Sequence, residues 1–230
     1  MQAIILAGGL GTRLLSVVAE LPKVMADVGG RPFLEHLLER LAAQGFDQAI
    51  LAVGHKRQAI IDHFGHRAAG LSIAYSVEEE PLGTGGAIRQ ALTLADPAPC
   101  FVLNGDTWLD LDYPGMFVAH RKARAELSLA VLNVPDVGRF GALEISSGRV
   151  TGFREKGCTG PGAINAGVYL MNADLFHDTD LPLRFSFEID FLAKALGRLR
   201  PLTFEACGDF IDIGVPDDYF RAQRLFAGRR

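Results

Sequence analysis

The chain has 230 residues, 49% of them apolar and 22% charged, and 23 basic against 27 acidic residues leave a formal charge of −4. This composition excludes wholesale disorder, a basic nucleic-acid arm and a collagen-like repeat. Glycine is in excess, at 26 residues or about 11% against roughly 7% in an average protein, so the backbone must turn sharply or approach a ligand closely in places.

Residues 2–7 (QAIILA) form an apolar run that stops at Gly8, as a buried strand does. Residues 32–44 read as an amphipathic helix, with Pro32 near its start and Gly45 as its stop. A strand at 47–53, a helix at 55–64 and an alternating strand at 71–77 follow. Helical pattern resumes at 86–95, then a buried strand at 100–104, a helix at 113–125 and a strand at 126–132. This strand–helix alternation predicts a doubly wound, mostly parallel α/β sheet. After about residue 135 the chain becomes strand-rich, with glycine turns. A helix at 187–197, strands at 201–206 and 210–214, and a helix from 216 complete it. No linker or repeat interrupts the chain, so a single domain is expected over 1–230, with halves 1–135 and 136–230.

Cys100, Cys158 and Cys207 lack C-x-x-C spacing, which argues against a disulfide framework or a cysteine-rich zinc site. The N-terminal apolar run lacks a charged flank and stops after six residues, unlike a signal peptide. No apolar stretch approaches the ~18–20 residues of a membrane span. A cytoplasmic protein with no membrane and no nucleic-acid partner is expected.

The first strand runs into Gly8-Gly9-Leu10-Gly11-Thr12-Arg13. Ligands of open α/β sheets bind beyond the C-terminal strand ends, and glycines there free backbone N–H groups for phosphate oxygens. The loop is neither a dinucleotide fingerprint, since Leu14 stands at the third glycine, nor a P-loop, since the chain has no Gly-Lys pair. No G-x-S-x-G occurs, which excludes a hydrolase elbow. Asp106 and Asp212 each end a strand-like segment in a glycine-containing turn, where a folded sheet presents both at one rim. His55, His63 and His66 lack a second ligand cluster, and a metal site there is not favoured. In FSFEIDFL, Phe185, Phe187, Ile189 and Leu192 read as core.

The ordered set LAGGLGTRL, LPKVMADVGGRPFLEHLLERL, PLGTGGA, LNGDT, RFGALE, FREK, INAGVYL and FIDIGVPDDY resembles the sugar-phosphate nucleotidyltransferases across essentially the whole chain. Two positions depart from the usual pattern. Val24 follows Pro22-Lys23 where a second proline is usual, and Val215 replaces a threonine. The resemblance implies a Rossmann-like nucleotide-diphospho-sugar transferase fold with a β-rich acceptor half. It also implies transfer of a nucleotidyl group from an NTP to a sugar 1-phosphate, with Mg²⁺ as cofactor. Arg13, Lys23 and Asp106 would be catalytic, and Asp106 and Asp212 would hold the metal. Leu6, Ala7, Gly8, Gly9, Gly11, Thr12, Gly83, Thr84 and Asn104 would bind the nucleotide. Gly141, Glu155, Lys156, Asn165, Gly167 and Glu188 would bind the sugar phosphate.

The attacking phosphate oxygen is already anionic, so the reaction needs charge neutralisation rather than a general base. Guanine offers two adjacent donors to a carboxylate where uracil offers one, so Glu78 or Glu80 before the base loop favours GTP. Within the family, the length and segments such as GFREK and FSFEIDFL look most like heptose 1-phosphate guanylyltransferases. Mannose-1-phosphate guanylyltransferases and N-acetylmuramate-1-phosphate uridylyltransferases are the alternatives. The hexapeptide β-helix of some relatives is not expected. A non-catalytic sensor of nucleotide sugars is disfavoured, because Arg13, Lys23 and both aspartates are present.

Overall fold

The computed structural model describes residues 1–9, 21–154, 157, 159–177 and 179–227. The chain opens with β1 (Gln2–Leu6). A single 3₁₀ turn at Lys23–Met25 leads to the hairpin β2 (Asp27–Val28) and β3 (Arg31–Pro32), then α1 (Phe33–Ala43) and β4 (Gln48–Val53). Next come α2 (Arg57–Phe64), β5 (Arg67–Ala68), β6 (Leu71–Val77) and α3 (Gly83–Leu92). Then follow β7 (Cys100–Asn104), β8 (Thr107–Leu109), α4 (Tyr113–Ala123) and β9 (Leu127–Val134). The later part contains β10 (Ala142–Ser146), β11 (Arg149–Arg154), β12 (Gly162–Met171), a π-helical turn at Phe187–Leu192 and α5 (Ala193–Leu199). It closes with β13 (Leu202–Glu205), β14 (Phe210–Asp212) and α6 (Pro216–Phe226).

Among the described residues, ten strands form one sheet in the order β10-β11-β13-β9-β12-β7-β1-β4-β6-β5. β5, β11 and β12 run against the other seven, so the sheet is mostly parallel. The parallel strands β1, β4 and β7 are almost wholly buried, which explains their unbroken apolar runs. Successive residues face opposite sides, so Ile5 joins one core layer with Phe33, Leu37 and Phe101. Ile4 joins the other with Ile88, Phe187 and Phe191. α1 buries Phe33, Leu34, Leu37, Leu38 and Leu41, one stripe at helical spacing.

A second, small sheet uses the strand expected at 210–214 and one not expected from the sequence, β8. β8 pairs antiparallel with β14, in the register Thr107↔Asp212 and Leu109↔Phe210. Asp212 therefore reaches the rim on this ribbon and not on the main sheet. α6 lies behind it, with Pro216 in its first turn. The hairpin β2–β3 is held by the same helix: Tyr219 Oη and Gln223 Nε2 both donate to the Asp27 carbonyl.

Three expectations are corrected. α3 begins at Gly83, not 86, so most of PLGTGGA is helix. Glycine's low helix propensity is overridden here by close packing, because a Cβ at Gly85 would collide with the Phe185 ring. Ile189 is 72% exposed, while Phe185, Phe187 and Leu192 are buried as expected. The π turn shifts the phase of this segment, so Phe191 takes the inward place. The helix expected at 55–64 begins at Arg57, so His55 lies outside it, as does His66 past its end, and His63 Nε2 lies 3.4 Å from Glu35 Oε2.

Cys100 is buried, and burial pushes its thiol up to about 12; Cys207 is exposed and also unbridged. No helix among the described residues is long and apolar enough to cross a membrane.

Phe226, the last core residue of α6, packs on Phe33, His36 and Trp108 at centroid distances of 6.4, 4.4 and 4.8 Å. Phe226→Ala is expected to lower the unfolding free energy by about 3–5 kcal/mol, read from the shift of a urea denaturation curve.

Candidate active site

Beyond the C-terminal end of β7 the chain turns through Gly105 and Asp106 before β8 begins. Lys23, in the 3₁₀ turn, reaches into this corner. Its Nζ lies 2.5 Å from Asp106 Oδ2 and 3.7 Å from Asp212 Oδ1. The lysine side chain is only 12% exposed, so this ammonium is largely removed from water. The backbone fixes both acids. Ile213 N–H donates to the Asp106 carbonyl at 3.0 Å, and Gly214 N–H donates to Asp212 Oδ1 at 2.8 Å. Thr107 Oγ1 donates to Asp106 Oδ1 at 3.3 Å.

Two carboxylates that already converge on one cation are a fitting donor set for a divalent metal. Mg²⁺ takes one or two carboxylates and completes its shell with phosphate oxygens and water. Among the described residues, no group of three or more His, Cys, Asp or Glu forms a full protein cage. The site suits a metal that arrives with, and shares, an anionic substrate.

A cleft of about 800 Å³ opens over the ends of β1, β4 and β6, and Leu6 in its wall accepts from Gly105 N–H at 3.0 Å, which joins it to the turn that carries Asp106. Leu6, Gly8, Gly9, Glu78, Gly83 and Thr84 line it, all from the sequence-derived set. Ala7 is buried behind, its N–H bonded to the Ala52 carbonyl at 2.8 Å. The two glutamates separate: Glu78 lines the cleft, whereas Glu80 is exposed and outside it. Glu78 Oε2 accepts from Leu82 N–H at 3.0 Å. A Cβ at Gly8 would stand 2.6 Å from Glu78 Oε1, so this glycine makes room for a carboxylate from the facing wall. His55, Lys56, Arg57 and Gln58, at the end of β4, also line the cleft. The sequence signal for them was their place just past a parallel strand, where such sheets bind ligands.

A second cavity of about 150 Å³ lies on the other side of Leu6 and Thr84, which line both spaces. Asn104, Tyr169, Ser186, Phe187 and Glu188 complete much of its wall. Thr84 Oγ1 accepts from Phe187 N–H at 2.9 Å and ties α3 to the π turn. Asn165 Nδ2 donates to Glu188 Oε1 at 2.9 Å, and Gly167 N–H donates to Asn165 Oδ1 at 3.1 Å. The register of β12 shifts between Asn165 and Tyr169, and Gly167 sits in that irregularity against the Asn104 amide. Gly141 precedes β10, its N–H bonded to the Val137 carbonyl at 3.0 Å, and lines neither cavity. Gly11, Thr12, Arg13, Glu155 and Lys156 lie outside the described residues. Trp108 is core, packed on Phe226 and not facing either cavity.

A parallel sheet with a cleft at its strand ends, and a lysine–carboxylate corner beside it, defines a nucleotide-handling α/β protein. The chain belongs to the nucleotidyl transferase family, whose model matches residues 2–228. It is 45% identical over 224 residues to D-glycero-alpha-D-manno-heptose 1-phosphate guanylyltransferase of Aneurinibacillus thermoaerophilus, covering 97% of each chain. The protein of the same name from Campylobacter jejuni is 42% identical over 221 residues, covering 96% of this chain and 97% of that one. The crystal structure of HddC from Yersinia pseudotuberculosis complexed with GMP-PN matches with a TM-score of 0.87 and 38% identity, over 98% of this chain and 99% of that one. Nucleotidyltransferases of this family typically use a divalent metal.

Burial pushes the Glu78 carboxyl above its ordinary range, partly opposed by the Leu82 N–H. Its charged form is thus disfavoured in the folded state. The stability penalty is absent below the ordinary carboxylate pKa, grows as pH rises through it, and is complete above the raised folded value. Glu78→Gln keeps an acceptor for Leu82 N–H. It is expected to be at least as stable as the parent at about pH 7, with the difference closing toward about pH 4, in urea denaturation at both pH values.

Proposed function

We propose that this protein transfers the guanylyl group of GTP to D-glycero-D-manno-heptose 1-phosphate, releasing pyrophosphate. The observation that carries nucleotidyl transfer is the Lys23 ammonium set between Asp106 and Asp212, beside an 800 Å³ cleft at the strand ends. The choice of base and sugar is supported by the heptose guanylyltransferases at 45% and 42% identity and by the GMP-PN complex of HddC.

In the reaction, an anionic oxygen of the sugar 1-phosphate attacks the α-phosphorus of GTP. A new P–O bond forms, the bond to the β-phosphate oxygen breaks, and pyrophosphate leaves with the electron pair. No proton has to be abstracted, so positioning and charge neutralisation dominate the barrier. Lys23 shifts part of its charge from the aspartates to incoming phosphate oxygens. Arg13 and the glycine loop at 8–11 hold the triphosphate, as the family resemblance implies. Leu6, Gly83 and Thr84 wall the nucleotide, with Ala7 buried behind them and Asn104 in the adjoining cavity, and Glu78 accepts N1–H and the N2 amine of guanine. Asp106 and Asp212 would hold Mg²⁺, which would supply neutralising charge to the phosphates. Glu155, Lys156, Asn165, Gly141, Gly167 and Glu188 serve the acceptor. The chain works as one domain in the cytoplasm, with residues 1–135 mainly for the nucleotide and 136–230 mainly for the acceptor.

Mixing the protein with GTP, Mg²⁺ and a panel of sugar 1-phosphates should release pyrophosphate fastest with the heptose. Equal rates with UTP and GTP would count against the guanine assignment. Asp106→Ala is expected to cut turnover by at least ~100-fold while circular dichroism stays that of the parent. Activity near the parent level would remove Asp106 from the metal site.

A further inference from the structure

Tyr169 belongs to the INAGVYL segment and is buried, 2% exposed. Its phenol does something a core residue does not need to do. The hydroxyl donates to Glu188 Oε1 at 2.6 Å and accepts from Asn165 Nδ2 at 2.7 Å. Asn165 Nδ2 also donates to the same Glu188 oxygen at 2.9 Å. Three polar side chains from two separate elements thus form a closed triangle. Glu188 comes from the π turn, and Asn165 and Tyr169 come from β12 on either side of its register shift. The ring is clamped edge-on by Phe187 at 4.9 Å, so the hydroxyl cannot swing away.

We infer that Tyr169 is the positioning residue of the acceptor-sugar site: it locks the Glu188 carboxylate and the Asn165 amide in place at the cavity beside Asn104. This rests on the nucleotidyl-transfer reading above. One Glu188 oxygen takes both internal donors, and Glu188 still lines the cavity, so its second oxygen is left to accept from ring hydroxyls. Burial and the neighbouring Glu188 charge hold the phenol well above its ordinary pKa, so it remains a donor over the working pH range. Fixing the carboxylate beforehand removes the rotamer entropy that an exposed glutamate loses on binding.

Tyr169→Phe deletes one oxygen and keeps the ring. With the sugar 1-phosphate that the pyrophosphate assay finds best, its KM for that acceptor is expected to rise about tenfold. The KM for GTP should stay within about twofold, since the tyrosine touches only the acceptor side. Glu188→Ala, a change at an exposed side chain, serves as the second variant and should show the same split. The double variant should be no worse than Glu188→Ala alone, because the tyrosine acts through the glutamate. Equal rises in both KM values, an unchanged acceptor KM, or multiplying effects in the double variant would overturn the role of Tyr169 and leave the nucleotidyl-transfer reading standing. No turnover with any acceptor would overturn both.

Discussion

Two aspartates from distant parts of the chain share one half-buried corner, and a lysine ammonium makes that tolerable. Without it the carboxylates would repel each other in a region of reduced dielectric. Much of the surrounding architecture keeps these three groups in register. β7 delivers Asp106 to the sheet edge, and the ribbon of β8 with β14 sets Asp212 beside it. The β2–β3 hairpin follows Lys23 closely in the chain and is anchored to α6 through the Asp27 carbonyl. A polyanionic substrate entering such a corner meets fixed charges whose reorganisation has largely been completed during folding. The same lysine that compensates the aspartates is then placed to meet phosphate oxygens.

The two cavities share a thin wall. Leu6 and Thr84 line both, and Thr84 takes the Phe187 N–H that fixes the π turn. The hydroxyl at the start of α3 thus connects the end of the nucleotide-side cleft to the element that carries Glu188. In the proposed reaction, donor and acceptor would approach from opposite sides of this wall.

The apolar runs of β1, β4 and β7 and the stripe of α1 were legible in the sequence because burial on both faces, or on one face, leaves an unambiguous period. The lysine and both aspartates were legible by family pattern. What stayed hidden was decided by long-range packing. β8 is three residues long and becomes a strand only by pairing with β14, which the sequence did show. Ile189 obeyed a plausible helical phase until the π turn moved it outward. Glu78 and Glu80 are chemically identical in a run of three. In the fold Glu78 and Glu79 line the cleft and Glu80 does not, and Glu78 is the one set against Gly8. Tyr169 is buried, and the positioning role inferred for it depends on partners that the sequence pattern cannot display.

The ribbon that completes the carboxylate pair joins residues more than a hundred positions apart, as in Trp108 opposite Ile211. Closing so long a loop costs conformational entropy early and yields few contacts in return. During synthesis, β1, β4, β6 and β7 can assemble long before residue 210 leaves the ribosome. The Asp106 side of the corner then waits, with Lys23 as its partner, for the final segment. Competence for chemistry is therefore coupled to the arrival of β14, the strand that brings the second acid into the corner.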